Sequence, residues 1–323
     1  KTNTISVACK GLYLMINGII NVYKEVGYTS RDAVSRLTGI LRQRKIGHTG
    51  TLDPAAEGVL PMCVGKATKL CELLTDHKKQ YIAVMKLGIA TDTEDTTGEI
   101  IDKTDYSENW YEENLTAENL TKIIDKFIGT QFQTPPMYSA KRVNGKRLYE
   151  LAREGKVIER KPCQITVYGI EIKNIDITNR EITIIVDCSK GTYIRTLCKD
   201  IGEALGCKAA MKSLLRTRTG DFDLENSYKL DEIEKIVKEN RLDEIIIPIE
   251  KIFHNLRRID VTGYSSVLLD NGGIVNMEKA RFETGSDNIK DGEKFRMYNK
   301  DGEFKAIYSY NEKINALKID KMF

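Results

Sequence analysis

The sequence predicts an α+β fold: a large sheet-bearing unit followed by a small β-rich one. Three observations predict it. Segments rich in Ile and Val, several with two-residue alternation, come in groups and do not alternate regularly with helices, which argues against a doubly wound parallel sheet. Between the groups lie stretches whose apolar residues recur at helical spacing. After Pro248 the texture changes. Residues 260–323 hold short strand-like runs, the turns Asn271-Gly272-Gly273, Asp291-Gly292 and Asp301-Gly302, and little helical pattern.

Taken in order, residues 1–15 read as an extension ahead of the fold, and INGIINVYK (16–24) predicts the first strand. Thr29-Ser30 offers an N-cap. Ala33, Val34, Leu37, Ile40 and Leu41 then come at helical spacing, so 31–44 is an amphipathic helix. IGHTGTLDPAAEG (46–58) has no periodicity and is punctuated by glycines, as a loop is. A strand is predicted over 59–65, a helix over 67–74 and an alternating strand over 80–88. An acidic loop (91–105) and a helix (117–127) come next. Pro135-Pro136 lets 133–145 continue neither a helix nor a central strand. Helical pattern returns at 148–153, strands at 163–173 and 181–188, and a helix at 192–205, while 218–222 begins another extended piece.

The chain has 323 residues, 41% hydrophobic and 30% charged, with a net charge of +3. That balance is only mildly basic and does not by itself specify nucleic acid. The distribution says more. Basic runs stand at 142–161, at Arg42, Arg44 and Lys45, and at Lys208, Lys212, Arg216 and Arg218. Each alone reads as a solvated face; three beside loops point to a polyanion partner. The seven cysteines (9, 63, 71, 163, 188, 198 and 207) make no C-x-x-C pair, and there are three histidines. No zinc pattern or disulfide framework results, and reduced thiols in a cytosolic protein are the expectation. No apolar run reaches the length of a membrane span. Neither a P-loop nor a G-x-S-x-G elbow is present.

The loop that carries His48, Thr49, Thr51 and Asp53 among three glycines is the candidate site, because functional side chains gather on loops held by a rigid frame. Pro54 restricts the backbone of Asp53. The residues fit two readings equally: a catalytic loop, or a tight turn in which Asp53 caps the helix-like stretch 55–58.

Residues 46–69, IGHTGTLDPAAEGVLPMCVGKATK, resemble the signature of the TruB family of pseudouridine synthases, G-H-x-G-x-L-D-P-x-A-x-G-x-L. Segments 17–24, 79–100, 133–155, 188–206 and 214–222 resemble the same family in the same order, and residues 260–323 are loosely similar to its PUA-type module. One departure is visible. Where the family has Asp-Lys-Pro after the first strand, this chain has Tyr23-Lys24-Glu25, which keeps the lysine and loses the proline. The resemblance implies a pseudouridine-synthase catalytic domain over 16–255, built on a mixed, largely antiparallel sheet, and a PUA-like RNA-binding domain over 260–323. It implies isomerisation of uridine to pseudouridine at position 55, in the T-loop of tRNA. The T-stem-loop would be the partner, with no cofactor, no metal, no membrane and no obligate protein partner, in a cytoplasmic enzyme.

Residue by residue, the resemblance makes Asp53 the nucleophile or base and Arg195 of GTYIR its cationic partner. Tyr81 would stack on the flipped uracil, His48 would fill the space the base leaves, and Tyr193 and Leu214 would line the uracil pocket. Lys24 would support the catalytic loop, and Lys146, Arg147 and Arg153 would grip the T-stem backbone. The alternative is a tRNA-binding folding chaperone without chemistry, which needs basic patches but has no use for Asp53, Tyr81 and Arg195 together.

Overall fold

Every second residue of Lys79–Leu87 is buried, and Glu181–Cys188 keeps the same two-residue rhythm. Side chains alternate between the faces of a sheet, so this pattern builds a sheet with one well-covered face. The computed structural model describes residues 15–143, 145–282 and 289–323. The extension expected over 1–15 therefore lies outside the described residues except for Met15, which is exposed.

The main sheet has eleven strands. Its path runs Tyr228–Lys229, Gly18–Lys24, Ala56–Val64, Ala209–Thr219, Lys79–Leu87, Glu181–Cys188, Cys163–Asp176, Gly129–Gln133. Three short strands pair beside that path: Ile46–His48, Phe222–Asp223 and Ile246–Ile247. Gly18–Lys24 runs parallel to Tyr228–Lys229, and Ala56–Val64 runs parallel to Ala209–Thr219. The other pairs along the path are antiparallel. The sheet is mixed and largely antiparallel, as expected. Ala33, Leu37 and Leu41 of the helix Ser30–Leu41 and Ile194, Leu197, Cys198 and Ile201 of the helix Ile194–Ala204 join one core cluster with the sheet. Thr29 caps the first helix: its side chain accepts from the Asp32 amide, and Asp32 reaches back to the Thr29 amide.

Several expectations shift. The stretch 67–74, expected as one helix, is a 3-10 turn Gly65–Leu70 and then a short helix Cys71–Thr75. Gly65 opens it with φ +62, and a Cβ there would meet the Ile16 carbonyl oxygen at 2.2 Å, so only glycine fits this turn. The acidic segment 91–105 carries a hairpin, Ile89–Thr91 with Ile100–Lys103, and an unanticipated helix stands after it at Glu108–Asn114, capped by Ser107. The largest correction is Ala209–Thr219. Expected as a basic run with an extended piece starting only at 218, it is a central strand of the sheet. Register shifts at Met211/Ser213 and Arg216/Arg218 break its alternation and hide it from a period-two reading.

A second sheet of six strands runs Val275–Asn276, Ala316–Met322, Phe304–Asn311, Lys294–Tyr298, Arg257–Val261, Ala280–Phe282. It begins at Arg257, three residues ahead of the expected 260. This β-rich unit is not loosely hung. Ile307 and Phe323 join one buried cluster with Ile19, Val59, Cys63, Leu70 and Leu74 of the main unit. Strand Ala56–Val64 is thus covered on both faces: Leu60, Met62 and Val64 look into the main core while Val59 and Cys63 look toward the second unit. That is why its sequence is almost continuously apolar. Among the described residues, no helix is long and apolar enough to cross a membrane.

Because Ile307 closes the seam behind this strand, Ile307→Ala should destabilise the protein by about 2–5 kcal/mol in urea unfolding. A change below about 0.5 kcal/mol, the range of ordinary surface substitutions, would mean that the two units do not share a core.

Candidate active site

The loop between Ile46–His48 and Ala56–Val64 is fixed by hydrogen bonds at each step. The Thr49 amide donates to the Pro61 carbonyl at 3.1 Å. The Leu52 amide donates to Ser30 Oγ at 2.8 Å, and Ser30 Oγ donates back to the Leu52 carbonyl at 3.2 Å. The Ala56 amide closes a turn on the Asp53 carbonyl at 3.0 Å, and the Gly27 amide holds the Pro54 carbonyl at 2.9 Å. Leu52 is buried in the core. The backbone of Asp53 is therefore held from both sides, while its side chain stays 39% exposed.

Facing it is Arg195, in the first turn of the helix Ile194–Ala204, with a side chain only 5% exposed. Its Nη2 sits 3.0 Å from Asp53 Oδ2 and donates to the Tyr138 carbonyl at 2.8 Å. Its Nη1 donates to the Thr93 carbonyl at 2.9 Å and lies 3.6 Å from Asp95 Oδ2. Asp95 is itself buried, and its other oxygen accepts from the Thr97 amide and from the hydroxyls of Thr93 and Thr97. The start of the helix is set by Gln133, which accepts from the Tyr193 amide at 2.8 Å and donates to the Tyr193 carbonyl at 3.0 Å.

These groups wall a cleft of about 240 Å³ in which Asp53, Tyr81, Tyr193, Arg195 and Leu214 meet, joined by Lys79 and Arg216. Tyr81 stands directly across the strand pair from Arg216, so their side chains share a face. Burial pushes the Tyr81 hydroxyl up from its ordinary value, and the Arg216 charge pulls the other way. Five of the seven expected site residues thus line one cleft. The other two do not. His48 sits on the strand Ile46–His48, where its Nδ1 accepts from the Gly50 amide at 3.3 Å; burial and then the Arg216 charge hold its pKa below the ordinary value. Lys24 is fully buried and donates to the Tyr28 carbonyl at 2.6 Å and the Glu25 carbonyl at 3.1 Å. It pins the turn whose Gly27 amide holds Pro54, so its hydrogen bonds reach the loop through backbone while its charge feels that of Asp53. In the departing Tyr23-Lys24-Glu25 segment, the Tyr23 hydroxyl bonds Glu57 at 2.8 Å and Glu25 pairs with Lys229 at 3.1 Å.

The comparisons with known proteins bear on this geometry. Residues 38–194 match the family described as TruB family pseudouridylate synthase (N terminal domain), and residues 195–254 match the tRNA pseudouridylate synthase B C-terminal domain. A protein of Lachnoclostridium phytofermentans named tRNA pseudouridine synthase B is 48% identical over 314 residues, covering 95% of this chain and 100% of that protein. The chain belongs to the TruB family. A Clostridium tetani protein of the same name is 43% identical, covering 88% of this chain and 93% of its own length. Among solved structures, a Cbf5-Nop10-Gar1 complex matches with TM-score 0.66 at 26% identity, over 94% of this chain and 84% of that one. An H/ACA RNP bound to a substrate RNA containing 2′-deoxyuridine matches with the same TM-score at 24% identity, over 95% and 84%, which bears on fold alone.

Two lining residues of this TruB-family cleft escape a reading of the sequence. Arg216 reads as part of a solvated basic run, yet it is fully buried. The signal is its two-residue offset from Leu214, which puts both on one face of a strand. Lys79 is buried too; its Nζ donates to the Thr75 and His77 carbonyls, both at 2.8 Å. Burial first, then the Arg216 charge, pushes Lys79 down to about 8.

Burial likewise pushes Lys24 down to about 8 from the ordinary 10.5, against the pull of the Asp53 charge. Between those values the unfolded chain binds more protons at this residue than the folded one, so its contribution to stability rises with pH across that window. Lys24→Met lacks this contribution. The difference in unfolding free energy between wild type and Lys24→Met should therefore move in favour of wild type as pH is raised from about 8 to about 10. A difference that stays constant with pH would show that Lys24 titrates alike in both states.

Proposed function

We propose that this chain isomerises uridine to pseudouridine at position 55, in the T-loop of tRNA, with Asp53 as the group that engages the nucleotide. The observation that carries the reading is the pairing of a buried guanidinium, Arg195, with the half-exposed carboxylate of Asp53 at the mouth of a cleft walled by Tyr81. The guanidinium at 3.0 Å fixes the direction in which the carboxylate faces the cleft. The names of the curated relatives support tRNA as the substrate. A folding chaperone without chemistry has no need for a carboxylate clamped in this way.

The reaction breaks N1–C1′, turns the uracil and joins C5 to C1′, the proton on C5 leaves and N1 gains one. It is an isomerisation with no net oxidation or reduction. The base must first leave its stack, at a cost of a few kcal/mol. Stacking on an aromatic ring returns about 1–3 kcal/mol, and Tyr81 is the aromatic residue on the cleft's sheet wall. His48, beside the loop and outside the cleft wall, would in this reading fill the vacated position in the RNA. Lys146 and Arg153 are exposed on the hairpin and helix that come after Ser139 and Ala140 at the cleft edge, and with Arg147 they offer charge to the T-stem phosphates. The C-terminal sheet supplies a second RNA-binding surface in this reading. In this reading the protein acts on tRNA in the cytoplasm without an obligate protein partner.

Asp53→Asn should abolish pseudouridine formation in a T-stem-loop RNA while leaving the RNA dissociation constant within a few fold. Turnover by folded Asp53→Asn protein would move the chemistry to another residue.

Tyr81 tests the proton step. If its hydroxyl takes part in moving the C5 proton, Tyr81→Phe should lose roughly 10²–10⁴-fold in rate with little change in affinity. Tyr81→Leu should in addition lose the roughly 1–3 kcal/mol of stacking. Near-wild-type turnover by Tyr81→Phe would limit Tyr81 to stacking, and equal activity of both variants would make it a core residue.

A further inference from the structure

The floor of the cleft holds a second guanidinium with different partners. Arg216 is completely buried, yet its charge meets backbone carbonyls: Nε donates to Val59 at 2.7 Å and Nη2 to Gly50 at 3.3 Å. Its Nη1 is buried without a carbonyl or carboxylate partner, and the polar side chain that faces the guanidinium from across the strand pair is the Tyr81 hydroxyl. That nitrogen lies under Gly50, 3.7 Å from where a Cβ would stand, and both residues line the cleft. A buried donor left unpaired costs free energy, and a buried charge without a counterion costs more. Its charge is felt around the cleft, where it helps to hold down Lys79, Lys24 and His48. An arrangement of this kind is tolerable when an acceptor arrives with the substrate and gathers negative charge during the reaction.

We propose that Arg216 is a further catalytic residue, whose Nη1 donates to a uracil carbonyl oxygen and stabilises the uracil anion released when N1–C1′ breaks. The inference rests on the proposed isomerase function and on Asp53 engaging the sugar side of the bond while the uracil leaves as an anion. In heterolysis the bonding pair stays on the base and spreads over N1 and the ring oxygens, while C1′ becomes electron-poor and is engaged from the Asp53 side. When C5 joins C1′, the pair forms that bond, the C5–H pair returns to the ring as the C5 proton leaves, and N1 takes up a proton, so the guanidinium gives up no proton. A preformed donor in a water-poor cleft aimed at developing charge is the arrangement that lowers such a barrier most. The two arginines then divide the work: Arg195 keeps the carboxylate aimed, and Arg216 takes the charge of the leaving base.

The test is a single-turnover comparison on two T-stem-loop RNAs, one with uridine and one with 5-fluorouridine at the target position. Each is monitored by loss of the N-linked nucleotide. Fluorine withdraws electrons and stabilises the departing base by itself. Arg216→Lys and Arg216→Gln should slow the uridine RNA by about 10²–10³-fold with its dissociation constant within a few fold. The penalty on the fluorinated RNA should be at least tenfold smaller. Equal penalties on both RNAs, or none, would overturn the proposal and leave Arg216 as a support of the loop. Wild-type enzyme on the uridine RNA is the control: no pseudouridine there sinks the isomerase reading and this inference with it, whereas normal wild-type turnover with equal penalties sinks this inference alone. If both variants fail to fold, a crystal structure of wild type with the fluorinated RNA decides. Nη1 within about 3.5 Å of a uracil oxygen supports the role, and a uracil whose oxygens lie beyond hydrogen-bond reach overturns it.

Discussion

A guanidinium that is almost wholly buried must have its donors met, and Arg195 has them met by parts of the chain far apart in sequence. Thr93 and Asp95 come from the turn of the first hairpin, Tyr138 from the segment after the double proline, and Asp53 from the signature loop. Removing one side of such an arrangement leaves a charge uncompensated in a poorly solvated place, at a typical cost of about 3–5 kcal/mol. The rest of the cleft depends on this constraint. Helix Ile194–Ala204 cannot turn without losing the carboxylate, and the loop cannot drift without losing its cation. Asp53 itself remains half exposed, so the ion pair directs the carboxylate without sealing it from a substrate.

The remaining charges work with that geometry. Four cationic side chains, Arg195, Arg216, Lys79 and Lys24, stand buried in and beneath the cleft, and three of them bond mainly to backbone carbonyls. Carbonyl dipoles hold a cation in place without cancelling its charge. Burial first, and the Arg216 charge after it, pushes Lys79 and Lys24 down to about 8. The site is therefore electropositive in its floor and carries one accessible carboxylate, a polarity suited to a polyanionic substrate whose reacting base becomes negative as its bond to the sugar breaks. The second β-rich unit contributes from behind, by covering the outer face of the strand that continues from the loop.

Much of this was legible in the sequence, for reasons that differ from residue to residue. Alternation in 80–88 and 181–188 and helical spacing in 31–44 and 192–205 announced the elements because each packs one face on a common core. Asp53, Tyr81, Tyr193, Arg195 and Leu214 were reached through a long signature and its companion segments, and one cleft gathers all five. Strand Ala209–Thr219 was missed because two register shifts interrupt its period, and Arg216 was lost with it into an apparent surface run. Lys79 was silent for a related reason. A lysine at the start of a strand reads as solvated unless one knows that the Thr75 and His77 carbonyls turn back to receive it. The seam between the two units could not be read at all, since Val59 and Cys63 look like ordinary strand residues until Ile307 and Phe323 are placed against them.

The claim at the centre of this mechanism is that Arg195 holds the Asp53 carboxylate aimed into the cleft. The most direct measurement is the single-turnover rate of pseudouridine formation by Arg195→Gln on a T-stem-loop RNA, with the RNA dissociation constant and thermal midpoint taken on the same preparation. A carboxylate that has lost its anchor should react on the order of 10²-fold more slowly or worse, with RNA binding within a few fold, and Arg195→Lys should recover part of the rate. A folded Arg195→Gln protein that turns over at the wild-type rate would contradict this claim, because Asp53 would then need no cation to hold it.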